Sequence, residues 1–382
     1  MKKAEKALKA VLVLEDGFTL SGESVNGPVE TGGETIFTTN MTGYQEILTD
    51  PSYTGQMICM TWPHIGNYGI CTKDMESGKI HADALLVKEC CRLPSNWRSE
   101  MSLPEFLRQN GTPCIEGLDT RSLTRHLRLN GAMRGIISTE DFDRESLLTK
   151  VRQLPSMEGR RLTPRVAAQK TWTWQNGAPR PVELLSNGAY DWRGSGLPLA
   201  VYDYGIKWNI LRHLEAAGFE TLCVPPDFSP GQLRATGAKG VFLSNGPGDP
   251  ATLEKETEIV RDLCGDFPIM GICLGHQLIA RALGAKTEKL KFGHHGCNHP
   301  VRDLETGKIE ISSQNHGFHV TPGSAEDLVV THINLNDGTN EGLRHKNLPI
   351  MSLQYHPEAA AGPRDANHLF RRFHRMMSEA LA

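Results

Sequence analysis

Apolar and polar positions follow two different rhythms along this chain. In the first half the apolar residues come in short runs. Val11-Leu-Val-Leu14, then Asp16-Gly17, then Phe18-Thr-Leu20 predicts a strand, a tight turn and a second strand. Ser102-Leu-Pro-Glu105 has the form of a capping box opening a short helix that stops at Gly111. Asp119 to Leu129 predicts another helix. In the second half strands and helices alternate. Leu199 to Tyr204 predicts a strand, and Ile210, Leu211, Leu214 and Ala217 form a helical stripe that stops at Gly218. Thr221 to Val224, Gly240 to Ser244 and Pro268 to Ile272 predict further strands. Asp249-Pro250 suits a helix N-cap followed by proline at the first helical position. A helical pattern runs on from Ile272 to Gly284, short β segments are expected from Lys286 to about Tyr355, and Ala366, Leu369, Phe370, Phe373 and Met377 mark a final helix.

The expected fold class is therefore α/β: a mixed α/β N-terminal domain, then a doubly wound, mostly parallel sheet. Gly, Pro, Ser and Asn punctuate the stretch from Thr171 to Pro198, which reads as a linker. This places the domains at 1–197 and 198–382.

Charge and cysteine usage narrow the class. Lys plus Arg is 41 and Asp plus Glu is 44, a formal net charge of −3, which argues against a mainly electrostatic nucleic-acid binder. No apolar run approaches the ~20 residues of a membrane span. The run Ala10 to Leu14 is too short for a signal peptide and acidic residues follow it, so a cytoplasmic protein without a membrane partner is expected. Nine cysteines with no CxxC pair do not make a disulfide framework.

The sharpest local signal is Gly271-Ile-Cys273-Leu-Gly275, set between a predicted strand and a predicted helix. It has the form of a nucleophile elbow, in which flanking glycines allow a strained turn that lifts the nucleophile above the sheet. The elbow places the sulfur at the C-terminal end of a strand and at the positive end of the next helix. A buried structural cysteine in a βα turn is the plainer alternative. A cysteine nucleophile needs a proton shuttle, and Gln354-Tyr-His356-Pro-Glu358 offers one, His356 as base with Glu358 two residues on to orient it; an ordinary surface or core histidine is the plainer alternative. Ser244-Asn-Gly246-Pro-Gly248-Asp-Pro250 follows a strand at the same sheet edge. Its glycines let backbone N–H groups approach a ligand, and the N–H of Leu274 is the other natural oxyanion donor; a plain turn is the alternative.

Together Gly271 to Gln277, Ser244 to Pro250 and His356-Pro-Glu358 resemble the triad (class I) glutamine amidotransferase domain, over about 198–382. Asn40 to Tyr53, Pro63 to Gly69, Leu118 to Arg125, Tyr202 to Lys207 and Lys291 to Pro300 extend the likeness. Over essentially the full chain it resembles the small-subunit family of carbamoyl phosphate synthetases. The departures are Cys297, where the family more often has glycine, and Cys71, where asparagine is common.

The resemblance implies that Cys273 is the nucleophile, His356 the acid/base and Glu358 its partner. It implies that Gly246 and Leu274 hold the oxyanion, and that Ser52, Gly248, Gln277, Asn315, Gly317 and Phe318 contact L-glutamine. Ser52 would bring the N-terminal half to the site. The family further implies glutamate and ammonia as products and a docked large subunit that makes carbamoyl phosphate from bicarbonate, ATP and ammonia. Such heterodimers could assemble further, serving arginine and pyrimidine biosynthesis. No cofactor and no metal are expected in this chain, and ATP and Mg²⁺ belong to the large subunit. The chain indeed carries no G-x-x-x-x-G-K-[ST] loop.

Three other readings stay open at this level. His294, His295, Cys297 and His299 have metal-ligand chemistry. The second half would also suit the amidotransferase component of anthranilate or guanylate synthesis. A catalytically silent scaffold for a large subunit is the third.

Overall fold

The computed structural model describes residues 8–321, 323 and 325–382. Its described residues form two compact units, one reaching to Arg160 and including Lys291–His295, the other Arg161–Leu290 with Gly296–Ala382. The boundary expected at 197/198 therefore falls earlier.

In the first unit seven strands close into a barrel, which the mixed α/β pattern did not specify. In spatial order they are Leu8–Leu14, Thr19–Ser24, Cys114–Glu116, Ala84–Leu86, Gln56–Met60, Glu30–Thr38 and Met133–Ser138, the last pairing back onto the first. Alternation along the first strand explains its two environments. Leu12 and Leu14 pack with Met57, Cys59, Leu86, Ile115 and Ile137, while Val11 and Val13 pack on Leu147, Leu148 and Val151 of the helix Arg144–Gln153. The predicted hairpin turns at Gly17, with φ +92°. Both predicted helices are present. Ser102 caps Leu103–Gln109 by accepting from the Glu105 N–H, and Asp119 caps Thr120–Asn130 by accepting from the Ser122 N–H.

The second unit is built on an eleven-stranded sheet. Its centre is parallel and runs in the order Phe219–Val224, Leu197–Tyr202, Gly240–Leu243, Ile269–Ile272, Ile350–Leu353. Both faces are covered, as near-continuous apolar strands require. Leu199, Val201, Phe242 and Met270 face helices Trp208–Ala216 and His368–Ala380 through Ile210, Leu214, Leu369 and Phe373. Ala200, Tyr202, Val241 and Leu243 face Leu233, Val260, Leu274 and Leu278 on the other side.

Antiparallel strands extend this centre on both sides. The stretch that composition marks as a linker is part of the sheet: Trp172–Gln175 pairs with Ala178–Pro181, and Trp172 lies in register with Cys223. Pro179 and Pro181 fall in the outermost strand, an edge position that tolerates a missing N–H. After residue 285 the β segments are longer than expected, with Lys286–Asp303 and Ile309–Thr321 spanning 18 and 13 residues. Asp249 is a cap, but of the short 3₁₀ turn Pro250–Thr252; the α-helix proper is Glu254–Leu263. No helix among the described residues is long and apolar enough to cross a membrane.

Candidate active site

The strand Ile269–Ile272 ends at Cys273, and the helix Leu274–Ala282 begins one residue later. Cys273 makes that turn with φ +53° and ψ −104°, a conformation costing about 1–3 kcal/mol in a non-glycine residue. The two glycines explain how the turn fits. A Cβ on Gly271 would stand 2.6 Å from the carbonyl carbon of Gly275, and one on Gly275 would run into the carbonyl oxygen of Leu243. The sheet and helix thus meet backbone to backbone, with the Gly275 N–H donating to the Ser244 carbonyl at 3.0 Å. Only the absence of side chains permits that approach.

The neighbouring parallel strand brings the second group. The Cys273 N–H donates to the Leu353 carbonyl at 2.8 Å, so the chain leaving Leu353 emerges beside the elbow. Three residues on, the His356 N–H donates to Ser313 at 2.9 Å, which fixes the backbone under the imidazole. His356 Nδ1 lies 2.6 Å from Glu358 Oε1, with both side chains buried. Nε2 is buried as well. Burial works against a charged imidazole here, yet the Glu358 carboxylate and the Cys273 thiol outweigh it and hold the His356 pKa up at about 10.

Glu358 has a further partner. Lys207 Nζ stands 3.0 Å from the same Oε1 and donates to the Ala359 carbonyl at 2.6 Å. Burial pushes the Glu358 carboxyl up, but Lys207 and His356 pull it down to about 2. Asn209 Nδ2 donates to the Glu358 backbone carbonyl at 2.5 Å and anchors the same loop from the next helix. The result is a buried line of Lys207, Glu358 and His356, with Cys273 at its end.

The remaining residues named from the sequence divide between the units. Gly246 and Leu274 are neighbours: a Cβ on Gly246 would meet Leu274 Cδ2 at 2.8 Å and the Tyr204 carbonyl oxygen at 2.6 Å. Leu274 is the first residue of its helix, so its N–H has no intrahelical acceptor. Gly248, at φ +95°, continues that loop. The strand Ile309–Thr321 crosses the elbow. The Asn315 carbonyl lies 3.6 Å from the Cys273 sulfur, and Gln277 Nε2 donates to the Phe318 carbonyl at 2.9 Å. A Cβ built on Gly317 would meet nothing within 4 Å among the described residues, so there is open space over that strand. Ser52 belongs to the first unit, in the turn Pro51–Tyr53, where its N–H donates to Asp50 Oδ1 at 2.9 Å. Of the suggested metal ligands, Cys297 directs its sulfur to the Ala361 carbonyl at 3.1 Å.

Comparison with known proteins identifies the family. Residues 12–137 match the family model "Carbamoyl-phosphate synthase small chain, CPSase domain", and residues 200–376 match "Glutamine amidotransferase class-I". The carbamoyl phosphate synthase small chain of Desulfovibrio desulfuricans is 66% identical over 98% of this chain and 99% of its own length. Those of Nitratidesulfovibrio vulgaris strain Miyazaki F and Aquifex aeolicus are 60% and 47% identical, over 98% and 96% of this chain and 100% and 98% of theirs. This chain belongs to the carbamoyl phosphate synthase small chain family.

In this small chain, Lys207 and Asn209, which contact Glu358, and Asn245, whose Oδ1 accepts the Lys207 N–H at 3.0 Å, are residues to which the sequence reading gave no role. Lys207 ends the quoted Tyr202–Lys207 motif, but lysine there reads as a helix-flanking charge. Only its nearly complete burial against Glu358 marks it as part of the site.

Proposed function

We propose that this chain is the glutamine-hydrolysing subunit of a glutamine-dependent carbamoyl phosphate synthase, and that Cys273, His356 and Glu358 perform the cleavage. The Cys273 sulfur, having given its proton to His356, attacks the side-chain amide carbon of L-glutamine. Charge building on the amide oxygen is met by the N–H groups of Gly246 and Leu274. One such donor is typically worth about 3–4 kcal/mol in a transition state. The C–N bond then breaks as His356 returns a proton to the departing nitrogen. Ammonia leaves and a glutamyl thioester remains on Cys273. Water, deprotonated by His356, attacks the thioester; the C–S bond breaks and glutamate is released.

Within this reading Glu358 orients the imidazole and stabilises its protonated form, and Lys207 keeps Glu358 ionised. Gln277, Asn315, Gly317, Phe318 and Gly248 line the place of the substrate side chain. Ammonia passes to a large subunit, where ATP and Mg²⁺ drive carbamoyl phosphate formation from bicarbonate. The product supplies arginine and pyrimidine synthesis in the cytoplasm. The observation that carries the proposal is the strained Cys273 elbow set against a buried His356–Glu358–Lys207 array.

The test uses the complete two-chain enzyme. Cys273→Ser is expected to retain glutamine binding and lose glutamate release by at least about 10³-fold. A glutamine-like electrophile is expected to label Cys273 alone. Wild-type hydrolysis in the variant, or a label on another of the nine cysteines with hydrolysis abolished, overturns the assignment.

A further inference from the structure

The turn Asp203–Lys207 delivers the ammonium group that holds Glu358, and every backbone N–H in it has an acceptor. Asp203 donates to the Val224 carbonyl at 3.0 Å and Tyr204 to the Ser244 hydroxyl at 2.9 Å. Gly205 and Ile206 both donate to Asp203 Oδ1 at 2.9 Å, and Lys207 to Asn245 Oδ1 at 3.0 Å. Two of these acceptors, Ser244 and Asn245, directly precede the oxyanion residue Gly246. The turn is therefore fastened to both halves of the chemistry at once.

Asp203 organises it. One carboxylate oxygen shapes the turn, and the other accepts the indole N–H of Trp172 at 3.1 Å. Burial pushes the Asp203 carboxyl up, against three donors that favour its charged form. Trp172 comes from the strand that composition marks as a linker, paired beside Cys223.

We propose that Trp172 and Asp203 are positioning residues for glutamine cleavage. The indole N–H clamps the carboxylate, the carboxylate sets the turn, and the turn places Lys207 on Glu358 and Asn245 beside Gly246. The proposal rests on the catalytic roles assigned above to Cys273, His356 and Glu358. Its physical warrant is the steep dependence of rate on geometry: a displacement of about 1 Å can cost about 10²-fold.

Trp172→Phe keeps the ring and removes one N–H. In the two-chain enzyme, kcat with glutamine is expected to fall about 5- to 20-fold with KM changed less than about twofold, while the rate with ammonia supplied directly stays at the wild-type level. Asp203→Asn keeps an acceptor for Gly205 and Ile206 but spoils the contact with the indole. It should lose at least as much, and the double variant no more than Asp203→Asn alone, because the two residues act through one bond. Melting curves keep both comparisons at temperatures where each protein is folded, and Asp203→Asn carries the test if Trp172→Phe does not fold. Wild-type kcat in the folded variant, or equal losses with glutamine and ammonia, overturns the inference. Cys273→Ser, run alongside, separates the two claims. If it still hydrolyses glutamine, the catalytic assignment falls; if it is dead while Trp172→Phe turns over normally, only the positioning role falls.

Discussion

Nζ of Lys207 sits 3.0 Å from Oε1 of Glu358, and neither side chain reaches solvent appreciably. Lys207 leads into one helix and Glu358 follows the last parallel strand, so the pair exists only because the sheet brings the two chain ends together.

Removing one partner of such a pair leaves a buried charge uncompensated, which costs about 3–5 kcal/mol. Lys207→Met is therefore expected to lower stability by that order and to cut glutamine hydrolysis by about 10²-fold or more. Denaturant unfolding and a glutamate-release assay read the two effects. Wild-type turnover in folded Lys207→Met would show that Glu358 does not need its ammonium.

The pKa directions give a pH signature. His356 is raised in the folded state from 6.5 to about 10, so its contribution to stability is complete below about pH 6.5 and is lost as pH climbs through about 10. Glu358 is lowered from 4.5 to about 2, so its contribution is complete above about pH 4.5 and is lost as pH falls through about 2. The stability difference between wild type and Glu358→Gln should thus be greatest between about pH 4.5 and 6.5 and shrink on either side. Unfolding curves across that range check it, and a difference independent of pH would contradict the pairing.

Glu358→Gln also removes the carboxylate that holds the proton on His356, leaving burial to dominate. The imidazole is then expected to titrate below its ordinary 6.5 instead of near 10. Side-chain NMR of the histidine, assigned by a His356→Asn control, would report the shift. An unchanged titration would mean that another group protonates the ring.

Strain at the elbow is separable from chemistry. At φ +53°, ψ −104° a side chain is disfavoured, so Cys273→Gly should be more stable than Cys273→Ala by about 1 kcal/mol, the reverse of the usual order. Both variants should be inactive. Equal or inverted stabilities would indicate that the turn relaxes in the absence of the sulfur.

Gly271 tests the close approach of strand and helix. A methyl there would stand 2.6 Å from the Gly275 carbonyl carbon, which is backbone and cannot rotate away. Gly271→Ala is expected to cost about 2–3 kcal/mol and most of the hydrolytic activity, measured by melting and by glutamate release. A near-neutral effect would show that the helix can slide outward without disturbing Cys273.

Much of the site was legible along the chain because its parts are local. The elbow is a strand, a turn and a helix joined by glycines, so Gly271, Cys273 and Gly275 announce themselves by spacing. His356 and Glu358 stand two residues apart, and their hydrogen bond needs no distant element. Tracts with one period, such as Leu199 to Tyr202 or Leu369 to Met377, foretold the strands and helices that the sheet uses. The stretch around Trp172 misled, since Gly and Pro mark an outer strand of a sheet as readily as a linker.

By itself the sequence determined the chemical vocabulary: a thiol on an elbow, an imidazole with a carboxylate two residues on, glycines where backbones must meet. The tertiary structure alone decided that seven strands close into a barrel, that Lys207 is buried against Glu358, and that Trp172 reaches Asp203. The physical reason is range. Turn geometry and alternation are written into neighbouring residues, whereas a buried charge takes its meaning from whichever distant partner the packed sheet sets beside it.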